Sequence, residues 1–178
     1  MRLSLYEHPD GVESEDGNRV VFDLARNEAH FGAAQVDGPA LEFELGDGGP
    51  GASLSVDVEL DPRVHWLMRC DRIDFPPNGI AHRHTHPGPG IRRLLYGSLR
   101  IEATGHDETY GPGGAWFEGA GYPVLATASE TGDTAFVRVL LLPDEWEGKR
   151  TISYVDPADD EKPRLQRATV FFDRRLAR

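Results

Sequence analysis

The sequence predicts an all-β protein, a sandwich or barrel of short strands, and three observations predict it. Apolar and polar residues alternate with a period of two, most cleanly where Leu54, Val56, Val58 and Leu60 share one face and Ser55, Asp57 and Glu59 the other. Twenty glycines and thirteen prolines are spread through the 178 residues and cut the apolar runs to strand length. No long amphipathic helical pattern, repeat or low-complexity tract is present.

In chain order, the first expected strands are Val20 to Leu24 and Leu41 to Leu45, the second alternating apolar with acidic residues. Gly46-Asp47-Gly48-Gly49-Pro50-Gly51 turns the chain into the Leu54 to Leu60 run. A longer strand from His65 to Phe75 stops at Pro76-Pro77-Asn78-Gly79, because proline cannot donate to a ladder. The segment His82-Arg83-His84-Thr85-His86 follows, then a Pro87-Gly88-Pro89-Gly90 turn and the run Ile91 to Ile101. Ala115 to Glu118 and Val124 to Ala128 are short strands separated by Gly119-Ala120-Gly121-Tyr122-Pro123. Thr134 to Leu142 is apolar enough for burial on both faces. Asp156 to Pro163 is charged and suits a loop or short helix, and Ala168 to Phe172 suits a last strand.

The length suits one domain with a real hydrophobic core. A net charge of -11 would repel a polyanion over most of the surface, which argues against a nucleic-acid or anionic-membrane partner. Cys70 is the single cysteine, so an intramolecular disulfide and a Cys-rich zinc site are excluded, in keeping with a reducing compartment. No signal-peptide pattern opens the chain and no apolar run approaches the roughly 20 residues of a membrane span. The expectation is a cytoplasmic protein.

The stretch that carries chemistry is His82, His84 and His86. In a regular strand alternate side chains share a face, about 6.7 Å from one to the next, which suits metal ligation. His82 and His86 would then lie about 13 Å apart, a span hard to close with metal–nitrogen bonds of about 2 Å. His82 is therefore read as a strand residue at the barrel mouth.

From Ile73 to Pro143 the chain resembles the cupin superfamily. That family's first motif is a glycine, five residues, His-x-His, three or four residues, a glutamate, six residues and a glycine. His84 and His86 take the histidine positions and Gly97 the closing glycine, while Asn78 stands for the first glycine and Gly90 for the glutamate. In the second motif Gly113 and Gly121 fit, Gly119 replaces a proline, Val124 a histidine and Ala128 an asparagine. The resemblance implies a double-stranded β-helix, the jelly-roll barrel. It assigns a core barrel of roughly 54–143, an N-terminal strand extension 1–53 and a C-terminal extension 144–178. It also implies a homodimer, with the N-terminal strands extending a sheet or exchanging with a partner.

The familiar metal set keeps two of its four ligands. A divalent transition metal (Zn, Fe, Mn or Ni), incompletely bound, would rest on His84 and His86 with a third donor from His82 or Glu118; His65 and Tyr122 are further donor types. Counting phase from Gly90 puts Arg92, Leu94 and Tyr96 on one inward face. The first functional reading is thus a pocket for a small anionic or polar molecule, recognised by Arg92 and Tyr96 and lined by Trp116 and Tyr122. Arg92 and Arg93 paired with acidic residues at a sheet edge or subunit contact is the plainer alternative, as is Trp116 in the core. A metal-dependent lyase, isomerase or dioxygenase using His84 and His86 is the second reading. The third is a metal-free, epimerase-like acid–base enzyme with a histidine base and Tyr96 or Tyr122 as acid, and beside it stands a non-catalytic structural protein.

Overall fold

The computed structural model describes residues 1–177 as an almost entirely β protein. The N-terminal strands are β1 (Arg2–His8), β2 (Val12–Ser14), β3 (Arg19–Asp23), β4 (Glu28–Phe31), β5 (Ala34–Val36), β6 (Ala40–Gly46) and β7 (Leu54–Asp57). The following eight are β8 (Trp66–Phe75), β9 (Ile80–Thr85), β10 (Gly90–Tyr96), β11 (Leu99–Ala103), β12 (His106–Tyr110), β13 (Ala115–Glu118), β14 (Val124–Ala128) and β15 (Thr134–Pro143). The chain ends with β16 (Ser153–Tyr154) and β17 (Arg167–Arg175), and short 3₁₀ turns occupy Asp144–Trp146 and Pro157–Glu161. No helix among the described residues is long and apolar enough to cross a membrane.

The strands from β8 to β15 build a jelly roll. One sheet runs β13-β10-β15-β8-β17 and the other β12-β11-β14-β9-β16, so from β8 to β15 consecutive strands cross between two facing antiparallel sheets except at the β11–β12 hairpin. The turns that make this possible use residues of the expected type. Gly97 sits at φ 78°, and a Cβ there would come within 2.4 Å of Thr134 Oγ1. Asn78 replaces a motif glycine at φ 59°, a left-handed conformation that asparagine tolerates better than most residues.

The N-terminal region corrects the sequence reading in two ways. Rather than extending a barrel sheet, it forms its own five-stranded sheet, β4-β3-β6-β1-β7, which stacks on the outer face of the β8/β10/β15 sheet. Its inward row of Leu3, Leu5, Val20, Phe22, Leu41 and Phe43 meets Met68, Cys70, Ile91, Val137, Val139 and Leu141 in one cluster. Each fully buried Leu or Phe in it is worth roughly 1.5–3 kcal/mol. Second, β7, expected in the barrel, pairs with β1 instead, while β16 and β17 beyond Pro143 join the barrel sheets. The barrel strands thus run from Trp66 to Arg175 rather than from 54 to 143.

Strand β15 is buried on both faces because it lies between these layers. Its odd-numbered residues Val137, Val139 and Leu141 face the N-terminal sheet, which leaves Phe136, Arg138 and Leu140 facing the barrel. Strand β8 follows the same parity, sending Met68 and Cys70 outward and Arg69, Asp71 and Ile73 inward. Charge therefore enters the barrel interior by strand alternation.

Candidate functional site

Between the two barrel sheets lies a cavity of about 410 Å³, within the range of small-molecule sites. Its inner wall is apolar, from Ile73, Phe75, Ala81, Leu99, Ile101 and Phe136. Above that wall, two neighbouring rungs of the β13-β10-β15-β8-β17 sheet carry the charged residues Arg69, Asp71, Arg92, Glu118 and Arg138. In one rung Trp116, Arg92, Arg138 and Asp71 stand directly opposite one another across four strands. In the next, Glu118, Gly90, Leu140, Arg69 and Asp173 do the same.

Arg92 opposite Arg138 is a like-charge pair, destabilising unless neighbours neutralise it. They do. Asp71 accepts two hydrogen bonds from Arg138, Nε to Oδ1 at 2.6 Å and Nη2 to Oδ2 at 3.0 Å. Asp173 accepts likewise from Arg69 at 2.6 and 2.7 Å, and Arg69 also donates to the carbonyls of Lys149 and Trp146. Arg92 lies beside Glu118, with Nη2 2.8 Å from Oε2, and Glu118 also accepts from Trp116 Nε1 at 2.8 Å. Burial holds the Arg92 guanidinium down to about 10, against the opposing pull of Glu118.

The Arg92–Glu118 contact is short but out of line, so Nη2 makes no hydrogen bond with that carboxylate. Arg92 Nη1 donates to Gly90 O at 2.6 Å. Arg92 Nη2 and Gln166 Oε1 are the buried side-chain polar atoms without a hydrogen-bond partner among the described residues, and both residues line the cavity. Buried polar groups are normally paired, so two orphans at one cavity suit a ligand that supplies what they lack.

The histidine segment departs from simple alternation. Val124 pairs with His84 and Ala126 with Ala81, so three residue steps on β9 oppose two on β14. This is a bulge at His82–Arg83. It turns Ala81, His84 and His86 to the cavity and His82 away from it; His82 Nδ1 lies 3.9 Å from Asp159 Oδ1. The three imidazoles therefore do not share a face.

The two inward histidines differ in what their nitrogens do. His86 Nδ1 donates to Thr151 O at 3.1 Å, and its Nε2 accepts from Arg138 Nη1 at 3.1 Å, which fixes a neutral tautomer. Burial, then the charges of Arg138 and Arg92, hold it well below the usual histidine range. His84 Nδ1 donates to His82 O at 2.7 Å, leaving Nε2 as an acceptor with no partner among the described residues. Burial lowers the His84 pKa to about 4, against opposing effects of the His82 carbonyl and Glu118.

A divalent cation does not fit this donor set. The His86 lone pair that would bind it is taken by a guanidinium, and Glu118 is held by Arg92 and Trp116. Among the described residues no group of three or more His, Cys, Asp or Glu is placed to hold a metal ion. His65 lies just before β8 and does not line the cavity.

Of the expected pocket residues, Arg92 and Trp116 line the cavity; Arg92 is paired with Glu118, but from an interior strand rather than a sheet edge, and Trp116 packs edge-on against Phe136 in the barrel core, as its plainer reading had it. Arg93 pairs with Glu7 of the N-terminal sheet. Tyr96 is a correction. A bulge between Leu94 and Tyr96 reverses its phase, and its exposed hydroxyl accepts from Arg72 at 2.6 Å and donates to Asp74 at 3.2 Å. Tyr122 is another, since its hydroxyl donates to Thr104 O at 2.5 Å and its ring borders a separate depression with His106 and Tyr110. Missing from the sequence reading are Arg69, Asp71, Arg138 and Gln166. Arg138 had a usable signal, a lone charge in an apolar strand buried on both faces.

The cavity mouth is basic, with Lys149, Arg150 and Arg164 on its rim. Arg150 and Arg164 approach one carboxylate, Asp160, at 3.5 and 3.1 Å.

No protein-family model matches the sequence, and no curated protein matches it. Among solved structures it is similar to the polyketide cyclase RemF from Streptomyces resistomycificus, at 20% identity and a TM-score of 0.42, over 59% of this chain and 74% of that one. It is also similar to an oxalate oxidase, at 18% identity and a TM-score of 0.43, over 49% of this chain and 46% of that one. The jelly-roll assignment rests on the strand order itself.

Proposed function

We propose that the barrel cavity binds a small amphipathic acid that also carries a hydroxyl group. One observation carries the reading: a buried guanidinium donor, Arg92 Nη2, is ion-paired with Glu118 at 2.8 Å but has no aligned hydrogen-bond acceptor among the described residues, and its residue lines the cavity. A ligand carboxylate supplies the missing acceptor, and a hydroxyl supplies a donor to His84 Nε2. The apolar wall takes the hydrocarbon or aromatic body. A basic rim on a chain of net charge -11 favours entry of an anion at this mouth over the rest of the surface. Of the catalytic alternatives, the acid–base pairing lacks its tyrosine, because Tyr96 and Tyr122 both stand outside the cavity.

Titration calorimetry with 3-hydroxy-2-naphthoate, 2-naphthoate and 2-naphthamide tests this. The expected order is hydroxy acid tightest, the plain acid roughly three- to tenfold weaker for one lost hydrogen bond, and the uncharged amide weaker by at least tenfold again. No saturable heat with any of them, or equal affinity for acid and amide, overturns the proposal.

A further inference from the structure

We infer that the Arg138 guanidinium serves as the resident cation of this site, occupying the donor groups that a divalent metal would need. Three side-chain atoms hold it: both carboxylate oxygens of Asp71 and the Nε2 lone pair of His86. An imidazole lone pair and a carboxylate are also the donors that transition metals take in proteins. The His84 and His86 rings stand 5.0 Å apart, edge to face, close enough for both to reach one ion with metal–nitrogen bonds of about 2.0–2.1 Å. What stands in the way is not a shortage of donors but their occupancy. The guanidinium and a metal compete for the same lone pair and the same carboxylate, so binding of one excludes the other.

The arrangement also fixes what the cation offers a ligand. Arg138 uses three of its five N–H donors on Asp71 and His86, which leaves one on Nη1 and one on Nη2. His86 is locked by Thr151 O on its far side, so the guanidinium is braced from two elements, β8 and the 148–152 segment. A braced guanidinium is a fixed-geometry donor that cannot be removed by a chelator or exchanged for another ion.

Cobalt is the probe, because its ligand-field absorption reports coordination independently of any activity. Wild-type protein with 1 mM Co²⁺ is expected to show only the spectrum of the aqueous ion, and its His86 side-chain ¹⁵N signals are expected to stay unbroadened. Arg138→Ala frees His86 Nε2 and Asp71, and is expected to bind Co²⁺ at least 100-fold more tightly than wild type, with bands that His86→Gln abolishes. Arg138→Lys retains a cation and is expected to stay metal-free. If Arg138→Ala does not fold, Asp71→Asn/Arg138→Ala removes the unpaired carboxylate and keeps both histidines, and is expected to bind at least tenfold tighter than wild type. A wild-type cobalt complex lost in His86→Gln overturns the inference, as does a folded Arg138→Ala or double variant that binds no better than wild type.

Discussion

Replacing Glu118 with glutamine tests whether the charged rungs are the energetic centre of the barrel. The substitution is isosteric and preserves an acceptor for Trp116 Nε1, but it removes the carboxylate beside Arg92. Exposure of these side chains is 1% for Arg92 and 9% for Glu118, so solvent screens the pair little. With the charges centred about 4 Å apart and an effective dielectric of about 20, the lost attraction is about 4 kcal/mol. Asp71 still offsets part of the Arg92 charge while Arg138 opposes it, which leaves the expected loss at roughly 3–4 kcal/mol, in the range for breaking a buried pair. At about 2–4 °C per kcal/mol for a chain of this size, Tm falls by roughly 6–16 °C. Arg92→Met/Glu118→Gln removes both charges and is expected to recover to within about 2 kcal/mol of wild type. Urea unfolding and calorimetry on the four proteins of the cycle measure this. A single-variant loss below about 1 kcal/mol, or a double variant as unstable as the two singles added, refutes the reasoning.

Acid should weaken the fold in a defined window. His84 has its pKa lowered to about 4 from 6.5, so between those values the unfolded chain binds the extra proton. The stability is fully present above pH 6.5 and is lost as pH falls to about 4, by on the order of 3 kcal/mol, with His86 adding in the same direction. Urea midpoints from pH 7 to 4 read this, and a flat profile would contradict the neutral, buried state of both rings. For ligand binding, Arg92→Met is expected to weaken 3-hydroxy-2-naphthoate at least tenfold, whereas Tyr96→Phe, Tyr122→Phe and His82→Ala stay within twofold by calorimetry. A tenfold loss at any of those three would relocate the site. Gly97→Ala is expected to lower stability by roughly 1–3 kcal/mol, because its φ of 78° and the approach of Thr134 leave no room for a Cβ; an unchanged Tm would contradict that.

Period-two alternation and turn residues made the strand-rich fold legible, and the histidine spacing with the motif glycines made the jelly roll legible. The position of the N-terminal strands was not, because alternation in Leu41 to Leu45 or Leu54 to Leu60 shows that one face is buried but not against what. The shared face of the three imidazoles and the inward phase of Tyr96 fail for one cause. Bulges at His82–Arg83 and before Tyr96 each insert a residue, and one inserted residue reverses the face of everything after it in the strand. No residue type marks either bulge in the sequence. Arg69, Asp71 and Arg138 are different: their charge was visible, but their inward direction depends on the N-terminal sheet covering the opposite face of β8 and β15.

The most direct test of the cavity as the ligand site is the side-chain ¹⁵N spectrum of the histidines during titration with 3-hydroxy-2-naphthoate. His84 Nε2 is expected to shift and saturate with the calorimetric Kd, while His82, turned out of the barrel by the bulge, does not move. Saturable binding that leaves His84 unshifted, or that shifts His82 instead, would contradict this.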